Sequence, residues 1–243
     1  MSITVTNPKG REIEFKSQRG PTCGLYALSF VLDYLYGLSW PATKDHKESD
    51  SLREVFKCKK RSAIGELFDS SAEMAKFIND TLIEAEKCRA EVCSVEAIQK
   101  ALASGGLCMV PFCVEIDWKL PEYGYPCNSG IHAHWCVLRA IPDKAKSDEV
   151  QVLHWGDEIR IFSLNALVQS NHSIKNVNYG QWAKEVGKTM EYYFQCSSSD
   201  PSKSVPDEME PHTVHELNAS KAKPVDGSRL EENLKGRMLV FDV

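Results

Sequence analysis

The chain has 243 residues with a formal net charge of -5; 42% of them are hydrophobic and 26% charged. That length buries one sizeable core, and the composition is that of a globular protein rather than a fibrous or disordered one. The acidic balance argues against a general nucleic-acid or anionic-membrane surface, and no stretch approaches the length of a membrane span.

Residues 3–6 and 11–15 alternate apolar and polar around Asn7-Pro8-Lys9-Gly10, the pattern of a short hairpin. From Cys23 a helix is predicted to about Tyr36. Leu25, Leu28, Phe30, Val31, Leu32 and Leu35 cover so much of its surface that it should be buried, and Gly37 ends it. Residues 41–62 are polar and include Lys57, Lys59, Lys60 and Arg61. Ser70 with Glu73 forms a capping-box signature for a helix through about Glu86, and Ser94 caps another that stops at Gly105-Gly106. Leu107 to Ile116 is a continuous apolar run, the mark of a buried strand. A loop rich in Pro, Gly and Tyr follows over 117–130. Strands are expected over 133–141, 149–154 and 158–162, with a short helix near 163–170.

Ser197 to Ser228 holds four prolines and no aromatic residue, so it reads as a flexible insertion. Arg237 to Val243 reads as a terminal strand returning to the main sheet. Helices first and strands later predict one α+β domain over 1–243 with an insertion at 197–228.

The nine cysteines are an odd set without a CxxC pair, and Met1–Pro8 lacks the basic-then-apolar profile of a signal peptide. Both features point to reduced thiols in the cytoplasm, with no metal and no cofactor. Most of the cysteines read as small core residues. Cys23 differs. In Gln18-Arg19-Gly20-Pro21-Thr22-Cys23-Gly24-Leu25 it follows a Gly-Pro turn and heads the buried helix. A thiol at a helix N-terminus feels unsatisfied N–H groups and the positive end of the macrodipole, which favour the nucleophilic thiolate. Gln18, five residues upstream, carries an amide able to donate to an oxyanion.

A base for that thiol lies far downstream, in Gly130-Ile131-His132-Ala133-His134-Trp135-Cys136-Val137-Leu138. His132 and His134 share one face by the period of a strand, so parity does not separate them. A third group should orient the imidazole. The next strand ends at His154 with Asp157 in the following turn, and spacing leaves both open. Trp135 and Trp155 read as packing residues. The basic run Lys57 to Arg61 reads as a solvated charged face.

A cysteine heading a buried helix, with a distant histidine on a sheet strand, is the layout of papain-like cysteine enzymes. The segment Gln18 to Leu28 resembles the Gln-x-Gly-Pro-x-Cys-Gly-Leu-x-Ala-Leu segment of the actin maturation protease family, a papain-like group related to the C39-like peptidases. Gly130 to Trp135 resembles that family's His-Ala-His-Trp segment. Ala101 to Val114, the Ser170-Asn171 turn and Leu234-Lys235-Gly236-Arg237 also look similar. The resemblance implies a papain-like α+β fold, its nucleophile-bearing helix packed on an antiparallel sheet. It implies Cys23 as nucleophile, His134 as base and Gln18 as oxyanion-hole donor. The implied reaction removes the N-acetylated first residue, Met or Cys, from new actin and exposes the acidic mature terminus. The implied partner is the actin N-terminus, with no nucleic acid and no membrane; Lys57, Lys59, Lys60 and Arg61 would then attract that acidic terminus. Two alternatives share the scaffold: a glutamine deamidase or isopeptidase, and an inactive binding module. Gln18, Cys23 and His134 together argue against the last.

Overall fold

Ile3–Thr6 (β1) and Glu12–Phe15 (β2) close the expected hairpin, with Val5, Ile13 and Phe15 turned inward. Asn7 builds its turn: Asn7 Oδ1 accepts the Lys9 and Arg11 amides at 3.0 and 2.9 Å. The computed structural model describes residues 2–18, 22–43, 51–59, 67, 69–130, 132–142, 147–156, 158–175 and 234–243, with only the backbone of Lys57 and Cys58. The expected insertion at 197–228 lies outside the described residues, as do Lys60, Arg61 and Asp157.

The helix from Cys23 forms as expected. Cys23–Val31 (α1) runs into a π-helical turn, Leu32–Tyr36, and Gly37 ends it at φ 74° in the left-handed region. Leu52–Cys58 (α2) forms within the stretch read as polar, because Leu52 and Phe56, four residues apart, are both fully buried.

The next helix corrects the expected cap. Ala72–Ile78 (α3) is capped by Ser71 rather than Ser70: Ser71 Oγ accepts the Met74 amide at 3.3 Å, and Asp69 Oδ1 accepts the Ser71 amide at 2.7 Å. A π-helical turn, Asn79–Ile83, ends it at Glu84, φ 58°, short of Glu86. The chain then forms a strand that no sequence pattern announced, Cys88–Val92 (β3). Val95–Ala103 (α4) is capped by Ser94 as predicted, with Ser94 Oγ 3.1 Å from the Ala97 amide.

Leu107–Cys113 (β4) is buried along its whole length. Ala133–Arg139 (β5), Glu149–His154 (β6), Glu158–Ser163 (β7), the helix Leu164–His172 (α5) and Arg237–Phe241 (β8) follow. The main sheet has the order β3-β8-β4-β5-β6-β7, and every pair is antiparallel. The terminal strand thus returns to the sheet, between β3 and β4. Asn171 on α5 helps hold it there, donating from Nδ2 to the carbonyls of Pro111 at 2.7 Å and Arg237 at 3.1 Å.

Each face of the sheet has its own core. Helix α1 packs with Met109, Cys113, Trp135, Val137 and Leu153 on one face. Helices α4 and α5 pack with Val110, Phe112, Cys136, Leu138 and Phe162 on the other. The chain is therefore a mixed α/β protein in which the helix beginning at Cys23 packs on an antiparallel sheet. Among the described residues, no helix is long and apolar enough to cross a membrane.

Candidate active site

Strand β5 enters the sheet at the edge where β6 leaves it. His134, the second residue of β5, pairs with Phe112 of β4, and His154 is the last residue of β6. The His134 ring centroid is 5.2 Å from that of His154, 5.3 Å from Trp155 and 5.8 Å from Phe112. Trp155 packs against both imidazoles, lying 4.8 Å from His154, and it holds that position at φ 57°.

Backbone ties bring Gln18 to the same edge. The Gln18 amide donates to the Trp155 carbonyl at 3.1 Å, and Ser17 Oγ donates to the Gly156 carbonyl at 3.3 Å. Gly156, at φ 80°, lies flat against the Lys16–Ser17 backbone, where a Cβ would overlap Ser17. The Gln18 side-chain carbonyl oxygen is buried.

The imidazoles are neutral at physiological pH. Burial pushes His134 down to about 3, and burial with the nearby His134 and Arg160 charges pushes His154 down to about 2. Among the described residues, His134 Nε2 and both ring nitrogens of His154 are buried without a hydrogen-bond partner. His134 keeps an open nitrogen, but the burial that holds its imidazole neutral also opposes proton uptake in this packing.

Most thiols are made inert by the same burial. It pushes Cys93 up to about 12 and raises Cys88, Cys108, Cys113 and Cys136 as well. These five are core residues, as the sequence suggests. Cys23 is buried as well, but it occupies the first position of α1, at the helix end that favours negative charge.

The structure places Cys23 and His134 on different faces of the sheet. Ala133, Trp135 and Val137 of β5 join the core on the α1 side, which holds Cys23; His134, with Cys136 and Leu138, alternates to the other side. His132 precedes β5 and is half-buried, and its carbonyl accepts the Val114 amide at 3.0 Å. Lys59 is exposed beyond the end of α2.

Two contributors were not read from the sequence. Trp155 is more than packing, since it touches both histidines and accepts the Gln18 amide. Arg160 is buried beside it, with its guanidinium carbon 5.7 Å from the Trp155 ring and 5.4 Å from the Tyr125 ring. Arg160 Nη1 donates to the Tyr123 carbonyl at 2.7 Å, and Arg160 Nε pairs with Glu158 Oε1 at 2.9 Å. The signal available in the sequence was Gly156 in the turn after β6, a residue tolerant of positive φ.

Residues 13–141 match the family described as actin maturation protease-like, C-terminal domain. The match covers more than half of the chain and includes Gln18, Cys23 and His134; His154 falls beyond it. Neither a curated protein nor a solved structure matches the chain. By the extent of that match, the chain belongs to the actin maturation protease-like family, whose C-terminal domain it carries over residues 13–141.

Proposed function

We propose that this protein is a cysteine aminopeptidase that removes the N-acetylated first residue, Met or Cys, from immature actin. The observation that carries the reading is that one continuous family match spans the cysteine heading α1 and the buried neutral imidazole on β5. The fold is then a papain-like, C39-like one acting in the cytoplasm.

In this mechanism His134 Nε2 takes the Cys23 proton and the thiolate attacks the carbonyl of the acetylated residue. The Gln18 side-chain NH2 group donates to the resulting oxyanion. Collapse breaks the peptide bond, and the imidazolium returns its proton to the leaving actin amine. Water, deprotonated by His134, then hydrolyses the thioester and frees the N-acetylated amino acid. The thiol supplies the nucleophile, so the reaction proceeds without a metal, and a blocked terminus needs no ammonium-binding group.

Because thiol and imidazole occupy different faces of β5, turnover requires the His134 ring to come around the start of the strand to the α1 side. His134 is the second residue of β5, so that passage lies at the strand's end. His154, in ring contact with His134, is the proposed orienting residue, and Asp157 is the alternative. Lys57, Lys59, Lys60 and Arg61 are proposed to attract the acidic actin terminus. Reversing their charge should raise KM for actin, less so at high salt.

The test is mass analysis of acetylated actin N-terminal peptides after incubation with the purified protein and with Cys23→Ala. Loss of one acetylated residue with the parent alone supports the reading. A deamidation product, or hydrolysis only at a lysine isopeptide bond, assigns the site to one of the other acyl-transfer activities. No reaction with any of these leaves a binding module.

A further inference from the structure

The root of the loop between β4 and β5 brings two cysteines opposite one another. That loop is a hairpin over 114–127: Val114 pairs with Pro126, the Glu115 amide donates to the Tyr125 carbonyl at 2.9 Å, and the Cys127 amide donates to the Cys113 carbonyl at 2.8 Å. Cys113, the last residue of β4, therefore stands directly across from Cys127. Both side chains take the α1 side of the sheet, Cys113 within its core and Cys127 packed against it. Directly opposed residues at a hydrogen-bonded position have Cα atoms about 5.5 Å apart. Disulfides span Cα separations of about 4.4–6.8 Å, so this register accommodates one without moving the backbone.

The two thiols differ in access. Of the seven cysteines whose side chains are described, Cys127 alone is not buried, and its Sγ lies 3.3 Å from Ser129 Oγ. Cys113 is fully buried. Burial raises its thiol, and the Gly130 and His132 amides draw it back towards thiolate. An oxidant arriving from solvent meets Cys127 first, with Cys113 as the sulfur behind it.

The two sides of the hairpin root are also held unequally. Pro126 has no amide to donate, so the ladder across this bridge rests on the Glu115 and Cys127 amides. Cys113 is firmly set: its amide donates to Ser170 Oγ at 2.9 Å, and that hydroxyl donates to the Cys113 carbonyl at 2.7 Å. Cys113 also pairs with Ala133, the neighbour of His134. A bond between the sulfurs would join the lightly held arm to a fixed strand beside the candidate site.

We propose that Cys113 and Cys127 form a redox couple: a peroxide joins them in a disulfide that staples the hairpin to β4, and a dithiol reductant releases it. The Cys127 thiolate attacks one oxygen of hydrogen peroxide. The O–O bond breaks, and hydroxide leaves and takes up a proton as water, giving a sulfenic acid at Cys127. The Cys113 sulfur then attacks the Cys127 sulfur. The S–S bond forms, the S–O bond breaks, and the oxygen departs with the Cys113 proton as a second water. The pair of thiols loses two electrons and the peroxide gains them. In a reducing compartment such a bond is transient, which suits a switch rather than a permanent staple. The inference is independent of the reaction proposed for Cys23.

The test oxidises the folded Cys23→Ala protein with hydrogen peroxide, so that Cys23 does not compete. Free thiols are then blocked with N-ethylmaleimide, and the unreduced peptides are mapped. The expected result is a linked pair of peptides carrying Cys113 and Cys127, an intact mass lower by two hydrogens, and recovery of both thiols with dithiothreitol. Hydrogen exchange at the Glu115 and Cys127 amides should slow at least ~10-fold in the oxidised form, a modest share of the stabilisation that closing a short loop supplies. Cys127→Ser in the same background should leave Cys113 free to be blocked after peroxide. The mapping needs no variant of the pair, so it decides the matter even if Cys127→Ser folds poorly. Cys127 linked to a different cysteine, or carried on to the sulfinic acid with Cys113 still free, would overturn the couple. A mapped Cys113–Cys127 bond with unchanged exchange would overturn the staple.

Discussion

His134 on β5 and His154 on β6 meet edge to face, their rings 5.2 Å apart and 70° to one another, with three of their four nitrogens buried and unpartnered among the described residues. Two imidazoles this close in an apolar setting do not readily carry charge together, so a proton accepted by one disfavours protonation of the other. Burial opposes protonation of either ring in this packing, and Trp155 fixes both and ties them to Gln18.

That burial makes stability depend on pH. The ordinary histidine value is 6.5, and His134 is pushed down to about 3 in the fold. As pH falls below the ordinary value, the unfolded chain binds protons that the folded one refuses. The stabilisation is complete above that value and is lost toward the folded value, at up to about 1.4 kcal/mol per pH unit for each such histidine. Urea unfolding of the parent should show a midpoint that drops steadily from neutral to acid pH. His134→Asn and His154→Asn should each flatten the dependence, and parallel curves would contradict the assignment.

Cys23 should be the first thiol to react with iodoacetamide at mildly acidic pH. Cys88, Cys93, Cys108, Cys113 and Cys136 are all pushed up by burial; Cys23, though buried, heads a helix. Peptide mapping reads the order of labelling. Simultaneous labelling of Cys23 and Cys127 would remove the claim that Cys23 is activated.

His134→Ala should lower kcat by at least ~10²-fold, the scale of losing a general base. His132→Ala, outside the strand, should have a much milder effect. His154→Ala should shift the acid limb of the kcat profile, because it removes the neighbour of the base; a change in rate with no shift in the profile would mean that it only packs. A larger effect at His132 than at His134 would reassign the base.

Much of this architecture is legible in the sequence, where patterns are strong. The β1–β2 hairpin, the all-round apolar α1, the Ser94 cap and the continuous apolar β4 each follow from local chemistry. Helix α2 is hidden because only Leu52, Val55 and Phe56 carry its apolar stripe among polar neighbours. Strand β3 is hidden because its partner, β8, comes from the far end of the chain. The α3 cap moves to Ser71 because Asp69 fixes that residue, a tertiary detail of the turn.

The site is legible only in part. Periodicity puts His132 and His134 on one side but does not say which side faces α1. Trp135 decides that: its Nε1 donates to the Leu67 carbonyl at 2.7 Å on the α1 side, which sends His134 to the opposite face beside Phe112. Trp155 and Arg160 were illegible because their roles arise from ring contacts between separate strands and the 114–127 hairpin.

Gly156 should tolerate no side chain. Its φ of 80° and its seat against Ser17 mean that Gly156→Ala pushes apart the segment carrying Gln18, costing about 1–3 kcal/mol of stability. Thermal unfolding and peptide turnover measured together should both fall. Normal turnover in Gly156→Ala would show that the Gln18–Trp155 tie does not matter to the chemistry.

The most direct measurement is the intact mass of the protein quenched in acid during turnover of an acetyl-Met actin peptide. The account predicts a fraction of the parent carrying one N-acetylmethionyl group, mapped to Cys23 as a thioester, and neither adduct nor product with Cys23→Ala. Product formed by Cys23→Ala, or an acyl group mapped to any other residue, would contradict it.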